Sequence, residues 1–179
     1  GNLYLTASGG LLNGYSTESL RKLSEVAREQ NVNQIIVESN FGDGMFSQLL
    51  KPVLASIYPC TIEEVRHSTQ KEKRIIDTLE PVFNSHKLIV DEKIIKDDFE
   101  STQDLKYKLF YQITRLTRER GALIHDDRLE ALSMAVNYWT EIMDRDAEDA
   151  VSEHKENLLR EELDRFMEHN IGRHKQNHN

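Results

Sequence analysis

Two short stretches carry carboxylates where chemistry could use them. In Gln34-Ile35-Ile36-Val37-Glu38 a β-branched run ends in a Glu, and Ser39-Asn40-Phe41-Gly42-Asp43-Gly44 follows. A run of this length reads as a buried strand and Gly-Asp-Gly as a turn. Glu38 is therefore expected at the carboxyl end of a strand, where open α/β sheets place their ligands. Much further along, His125-Asp126-Asp127 opens a helix, and Glu130 lies one turn beyond Asp127 on the same face. Oxygen donors of this kind suit Mg²⁺ or Mn²⁺. Two such ions, about 3.5–4 Å apart, can hydrolyse a phosphodiester. The expected metal ligands are Glu38, Asp127 and Glu130, with Asp126 pointing elsewhere as the competing choice. Each residue also has an ordinary reading. A Glu at a strand end is commonly just solvated, Asp126 could be only a helix cap, His125 a packing residue and Asp43 a stabiliser of its turn.

The elements that must position these groups follow from periodicity. Leu3, Leu5 and Ala7 alternate as in a strand. Ser16 is an expected N-cap, and Leu20, Leu23, Val26 and Ala27 repeat at helical spacing through Gln30. With the strand at 34–38 this makes a β-α-β unit and predicts a parallel or mixed sheet. A helix from Phe41 is expected to kink or break near Pro52. Thr61 to His67 could be a strand, Lys71 to Phe83 a helix ending near Pro81, Lys87 to Val90 a strand, and Asp91 to Glu100 a polar helix or loop. Leu105, Leu109, Ile113 and Leu116 form a helical stripe that Gly121 is expected to cap. The helix opened by Asp126 and Asp127 turns Leu129, Leu132, Ala135, Val136 and Trp139 inward. Ala147 to Glu168 reads as a charged, protruding helix, and 171–179 as disordered.

At 179 residues the chain can bury one sizeable core. The division expected is a domain over 1–143 and an acidic helical tail over 144–179. Its net charge of −8 argues against a general nucleic-acid coat or a membrane-surface protein. The acidity is concentrated: residues 141–168 hold eleven acids against four bases. A single cysteine, Cys60, rules out a disulfide framework and fits a reducing cytosol. No segment is apolar enough to span a bilayer. The chain begins with Gly1 rather than Met, which suggests a processed, excised or truncated sequence.

The wording around the carboxylates goes further than their spacing. Val37-Glu38-Ser39-Asn40-Phe41-Gly42-Asp43-Gly44-Met45-Phe46 and Gly121-Ala122-Leu123-Ile124-His125-Asp126-Asp127-Arg128-Leu129-Glu130-Ala131-Leu132 resemble the large terminase subunit of short-tailed, podovirus-type phages. Lys71 to Pro81 and Tyr107 to Gln112 resemble the same family in the same order, and the resemblance runs from residue 1 to about 140. It implies a fold: an RNase H-like mixed sheet flanked by helices, here with a charged C-terminal helix appended. It also implies a role, since such subunits package concatemeric DNA into proheads with an N-terminal P-loop ATPase and a C-terminal nuclease. No G-x-x-x-x-G-K-[ST] occurs, so the ATP motor is expected to be absent from this chain. Glu38 resembles the family's second metal carboxylate and Asp127 its third, with Asp126 competing. Arg74 matches a basic position and could touch phosphate or, as the preferred reading, hold the fold. The family's first catalytic Asp lies on the first strand, yet no Asp precedes Asp43. The expectation is thus a domain with its N-terminal strand or strands missing, whose remaining carboxylates bind metal poorly and cut weakly or not at all alone.

The leading expectation is a Mg²⁺- or Mn²⁺-dependent endonuclease domain acting on double-stranded DNA in the cytoplasm of an infected bacterium. DNA would lie across Lys71, Lys73, Arg74, Arg115, Arg118 and Arg128. The alternative is an incomplete assembly module whose acidic tail docks on the portal or the small terminase subunit. A resolvase-like junction nuclease is a third possibility on the same fold.

Overall fold

The structure, a computed structural model, describes residues 1–39 and 44–174, with side chains as far as Met167. The turn expected over 42–44, except for Gly44, lies outside the described residues, as does the tail expected to be disordered beyond 174. Strand β1 (Leu3–Leu5) leads through helix α1 (Thr17–Glu29) to strand β2 (Gln34–Glu38), helix α2 (Met45–Ile57) and strand β3 (Thr61–Val65). Helix α3 (Lys71–Asn84), strand β4 (Leu88–Val90), helix α4 (Glu92–Glu100), helix α5 (Leu109–Arg115) and helix α6 (Asp127–His174) follow.

The described strands form two parallel pairs rather than one continuous mixed sheet. In the first, Leu3 faces Leu88 and Leu5 faces Val90. In the second, Gln34 faces Thr61 and Glu38 faces Val65. Parallel neighbours need a crossover, and α2 supplies it between β2 and β3. Expected to be fully buried, β2 is instead half-buried along its whole length. Ile35 packs on one apolar cluster, but among the described residues no second strand lies beside β2.

Each strand pair has its own core. Leu20 and Ala27 of α1 meet Leu50 and Leu54 of α2, with Ile35 and Ile62 of the second strand pair against them. Ile75, Leu79 and Val82 of α3 meet Leu109, Leu129, Leu132 and Val136, with Leu3, Leu5 and Leu88 alongside. Ser16 caps α1 as expected, accepting from Ser19 N at 3.2 Å.

Several boundaries differ from the sequence expectation. Helix α2 runs unbroken through Pro52, because the flanking Leu50 and Leu54 are held in the core. Likewise α3 passes Pro81 to Asn84, carried by buried Val82. The stripe from Leu105 is not one helix. A short 3-10 turn over Leu105–Tyr107 precedes α5, which ends at Arg115, well before Gly121. Gly121 does adopt a left-handed φ of 75°, but there its amide donates to Glu72 Oε1 at 2.5 Å rather than closing a helix. Beyond it, α6 is continuous where two helical segments were expected. The chain divides into two compact units, residues 1–137 and 138–179. No helix among the described residues is long and apolar enough to cross a membrane.

Candidate active site

The two stretches of carboxylates reach one place through two cations. Glu38 ends β2, and its Oε1 lies 3.8 Å from Arg74 Nη2. The same Arg74 nitrogen hydrogen-bonds Glu130 Oε1, across from α3 to α6. Lys71, one turn earlier on α3, places Nζ 2.8 Å from Glu130 Oε2 and 3.1 Å from Asp126 Oδ1. His67 Nδ1 stands 3.4 Å from Glu38 Oε1. The result is a chain of alternating charge, Glu38–Arg74–Glu130–Lys71–Asp126, between the two apolar clusters of unit 1–137.

Local sequence explains the arrangement. Lys71 and Arg74 are three apart on α3 and so share a face, beside the core residues Ile75 and Leu79. Asp126 directly precedes α6, its carbonyl accepting from Glu130 N at 2.8 Å, and both side chains point to Lys71. This corrects the expected geometry. Asp126 was to point away while Asp127 shared a face with Glu130. In the structure Asp126 is buried with Glu130, and Asp127 is exposed. The spacing of four between Asp126 and Glu130 stacks them one helical turn apart, whereas Asp127 begins the helix on its solvent side. His125 packs its ring on Tyr107, with centroids 4.6 Å apart.

Burial and charge oppose each other at Glu130. Desolvation raises its carboxyl pKa, helped by the nearby negative Glu38, while Lys71 and Arg74 pull it down; the net direction is up. For Lys71 desolvation lowers the pKa, but hydrogen bonds and charge from Glu130 and Asp126 outweigh it and push it up to about 12. Beside Lys71 and Asp126 opens a polar cleft of about 400 Å³, lined by Ser68, Thr69, Gln70, Glu72 and Arg120 among others.

As arranged, these residues do not fit a divalent ion. The donors are of the right type, but the ammonium of Lys71 and the guanidinium of Arg74 stand against their oxygens. Among the described residues no three His, Cys, Asp or Glu side chains are disposed to hold a metal.

The expected DNA-contacting cations separate into two kinds. Arg74 is half-buried in the charge chain, and Arg128 is tied to Asp98 Oδ1 at 2.8 Å and to Gln103. Lys71 is partly exposed, and Arg115 is exposed, stacked over the Tyr111 ring at 5.6 Å. Exposed Arg118 meets Asp77 at 2.8 Å and Glu80 at 3.1 Å. Sequence reasoning did not foresee Lys71 as a partner of the carboxylates, nor buried Asp98 as the acceptor for Arg128 and for the Leu109 and Phe110 amides at 3.1 Å. The available signal was that Lys71 and Arg74 share a helix face inside a stretch already singled out.

Residues 1–88 match the family described as the terminase of bacteriophage T7, ribonuclease H-like domain. The match takes in Glu38, Lys71 and Arg74. Over 177 residues the chain is also 40% identical to the terminase large subunit of Enterobacteria phage T3. By sequence it is similar to a terminase large subunit over nearly its whole length. That alignment covers 96% of this chain and 30% of the phage T3 protein, so the chain spans less than a third of its relative's length.

Proposed function

We propose that this chain is the nuclease part of a viral terminase, corresponding to the subunit's C-terminal RNase H-like portion. It cuts concatemeric double-stranded DNA during genome packaging in the cytoplasm of an infected bacterial cell. One observation carries this reading: Glu38 at a strand end and Asp126 and Glu130 at a helix start, distant in sequence, meet through Arg74 and Lys71. The family match over residues 1–88 supports it.

The carboxylates assigned to the activity are Glu38, Asp126 and Glu130, with exposed Asp127 as a further donor. The expectation of Mg²⁺ or Mn²⁺ rests on their donor type alone, and not on their present arrangement around Lys71 and Arg74. Lys71, Arg115 and Arg118 are the cations assigned to DNA, while Arg74 and Arg128 serve the fold. Plasmid nicking tests the reading. Weak Mn²⁺-dependent nicking, lost in both Glu38→Ala and Asp126→Ala, is the expected result. Nicking that survives Glu38→Ala removes it.

A second reading concerns residues 138–179. Val151, Leu158, Leu159, Leu163, Phe166 and Met167 are exposed on this acidic helical unit, and large exposed apolar residues among charges mark partner surfaces. We assign this unit to docking on the portal or the small terminase subunit. Deleting residues 145–179 should abolish such binding and leave unit 1–137 folded; retained binding removes the assignment.

A further inference from the structure

Residues 105–118 hold four bases, Lys106, Lys108, Arg115 and Arg118, and no acid, in a chain of net charge −8. Aromatic residues are interleaved with them: Tyr107, Phe110 and Tyr111 lie in the same stretch. Cations serve phosphates and aromatic rings serve bases, so this composition suits a nucleic-acid strand. The fold turns the pattern into pairs. Lys106 Nζ lies 5.1 Å from the centroid of the Tyr107 ring, and the Arg115 guanidinium 5.6 Å from that of Tyr111. At the end of α4, Phe99 has Lys108 Nζ 5.8 Å from its ring centroid. Lys108 is held there, because it is buried and donates to the Phe99 carbonyl. Each ring thus carries a cation within about 6 Å, the range of a cation–π contact.

Neither Phe99 nor Tyr107 belongs to an apolar cluster of unit 1–137. Phe99 is 75% exposed and Tyr107 38%. Aromatic area left in water contributes no burial energy, whereas a base stacked on it does. A duplex cannot supply that base, since its base faces are covered by their neighbours along the helix. An unpaired strand can. We propose that Phe99 and Tyr107 form a stacking ledge for unpaired nucleotides of single-stranded DNA, with Lys106 and Arg115 on its phosphates. Lys106 meets exposed Asp104 at 3.9 Å, a weak pair that yields to a phosphate. The ledge adjoins the carboxylate cluster, because Tyr107 packs on His125 at 4.6 Å and His125 directly precedes Asp126. The proposal rests on reading this face as a DNA surface, but not on cleavage and not on any metal.

Fluorescence anisotropy tests it with the full 179-residue chain in the presence of a chelator. Two probes are compared: a labelled oligothymidine of about 12 nucleotides, within the usual site size, and a mixed-sequence duplex of the same length. Phe99 is exposed, while buried Ile94 and Asp98 hold α4, so Phe99→Leu keeps the fold. It should bind the oligothymidine about tenfold more weakly than the parent, the scale of one lost stacking contact, and the duplex equally well. Phe99→Trp should keep the parent affinity, and Tyr107→Leu should repeat the loss. Lys106→Gln should lower the salt slope for the oligothymidine by about 0.7. A parent chain that does not bind the oligothymidine overturns the proposal and leaves this face to a protein partner. So does equal affinity of parent and Phe99→Leu, or a loss in Phe99→Leu that is the same for both probes. Nicking is not among the readouts. A chain that selects the oligothymidine through Phe99 but fails the nicking test loses the nuclease reading alone, and one that nicks without that selectivity loses this proposal alone.

Discussion

Arg74 hydrogen-bonds Glu130 while standing 3.8 Å from Glu38 Oε1, and so joins the end of β2 to the first turn of α6. The two apolar clusters of unit 1–137 are built around different strand pairs, and this guanidinium crosses between them. A guanidinium suits the task because its planar fork can donate to two carboxylates from fixed positions. Removing one partner of a buried ion pair leaves a charge without compensation, at a cost of about 3–5 kcal/mol. Arg74→Ala should therefore lower stability by about 3 kcal/mol in urea unfolding. Arg74→Met combined with Glu130→Met should recover most of that loss. A loss below the error of the measurement would show that Arg74 is not a fold-holding residue.

Asp98 gives a second test of structure against DNA contact. It accepts from Arg128 Nη1 at 2.8 Å and from the Leu109 and Phe110 amides, so it caps α5 and anchors α6 together. Asp98→Ala and Arg128→Ala should each destabilise the chain by about 3 kcal/mol, the double variant costing less than their sum. At a temperature where it remains folded, Arg128→Ala should bind DNA as the parent does. A selective fall in DNA affinity with unchanged stability would return Arg128 to the DNA-contacting group.

The difference between what the sequence disclosed and what it hid follows from the range of the interactions. Period and capping are local, so α1 with its Ser16 cap and the strand ending at Glu38 are readable from neighbouring residues. Pro52 and Pro81 mislead because burial of Leu50, Leu54 and Val82 overrides the local preference. The choice between Asp126 and Asp127 turns on a register of one residue relative to Lys71, which lies 3.1 Å from Asp126 Oδ1 in space but on another helix. Nothing in either stretch alone encodes that meeting. The pairing of Arg128 with Asp98 is hidden for the same reason.

Glu72 makes stability depend on acidity. Its carboxylate accepts from the Gly121 amide at 2.5 Å, and that hydrogen bond holds its pKa below the ordinary 4.5. A carboxyl lowered in the folded state stabilises above its unfolded pKa and loses that contribution as pH falls through the folded one. Glu72→Ala should cost about 2 kcal/mol at neutral pH, as expected for a hydrogen bond to a charged group. The gap between variant and parent should close as pH is lowered below 4.5. A gap that stays constant to low pH would exclude the charged acceptor as its origin.

Lys71 gives the corresponding effect at the alkaline end. With its pKa raised from 10.5 to about 12, the folded state binds its proton more tightly than the unfolded chain does. The contribution is complete below 10.5 and disappears as pH rises through about 12. Urea midpoints measured across that window should fall more steeply for the parent than for Lys71→Met. Parallel curves would mean that the ammonium adds nothing to folding that its neighbours do not already supply.

The exposed arginines predict how DNA binding responds to salt. Arg115 rests on the Tyr111 ring and presents its charge to solvent. Arg118 is engaged with Asp77 and Glu80, but exposed ion pairs of this kind contribute about 0–1 kcal/mol and exchange readily for a phosphate. Each phosphate contact releases counterions and adds about 0.9 to the slope of log affinity against log salt. Arg115→Ala and Arg118→Ala should each lower that slope by about one, while lowering affinity evenly across sequences. Freed from Arg118, Asp77 and Glu80 add local negative charge, so Arg118→Ala should weaken binding more than Arg115→Ala at low salt. Filter-binding titrations on duplex DNA over a range of salt concentrations decide the matter. Slopes unchanged in both variants would move the DNA path to another face of unit 1–137.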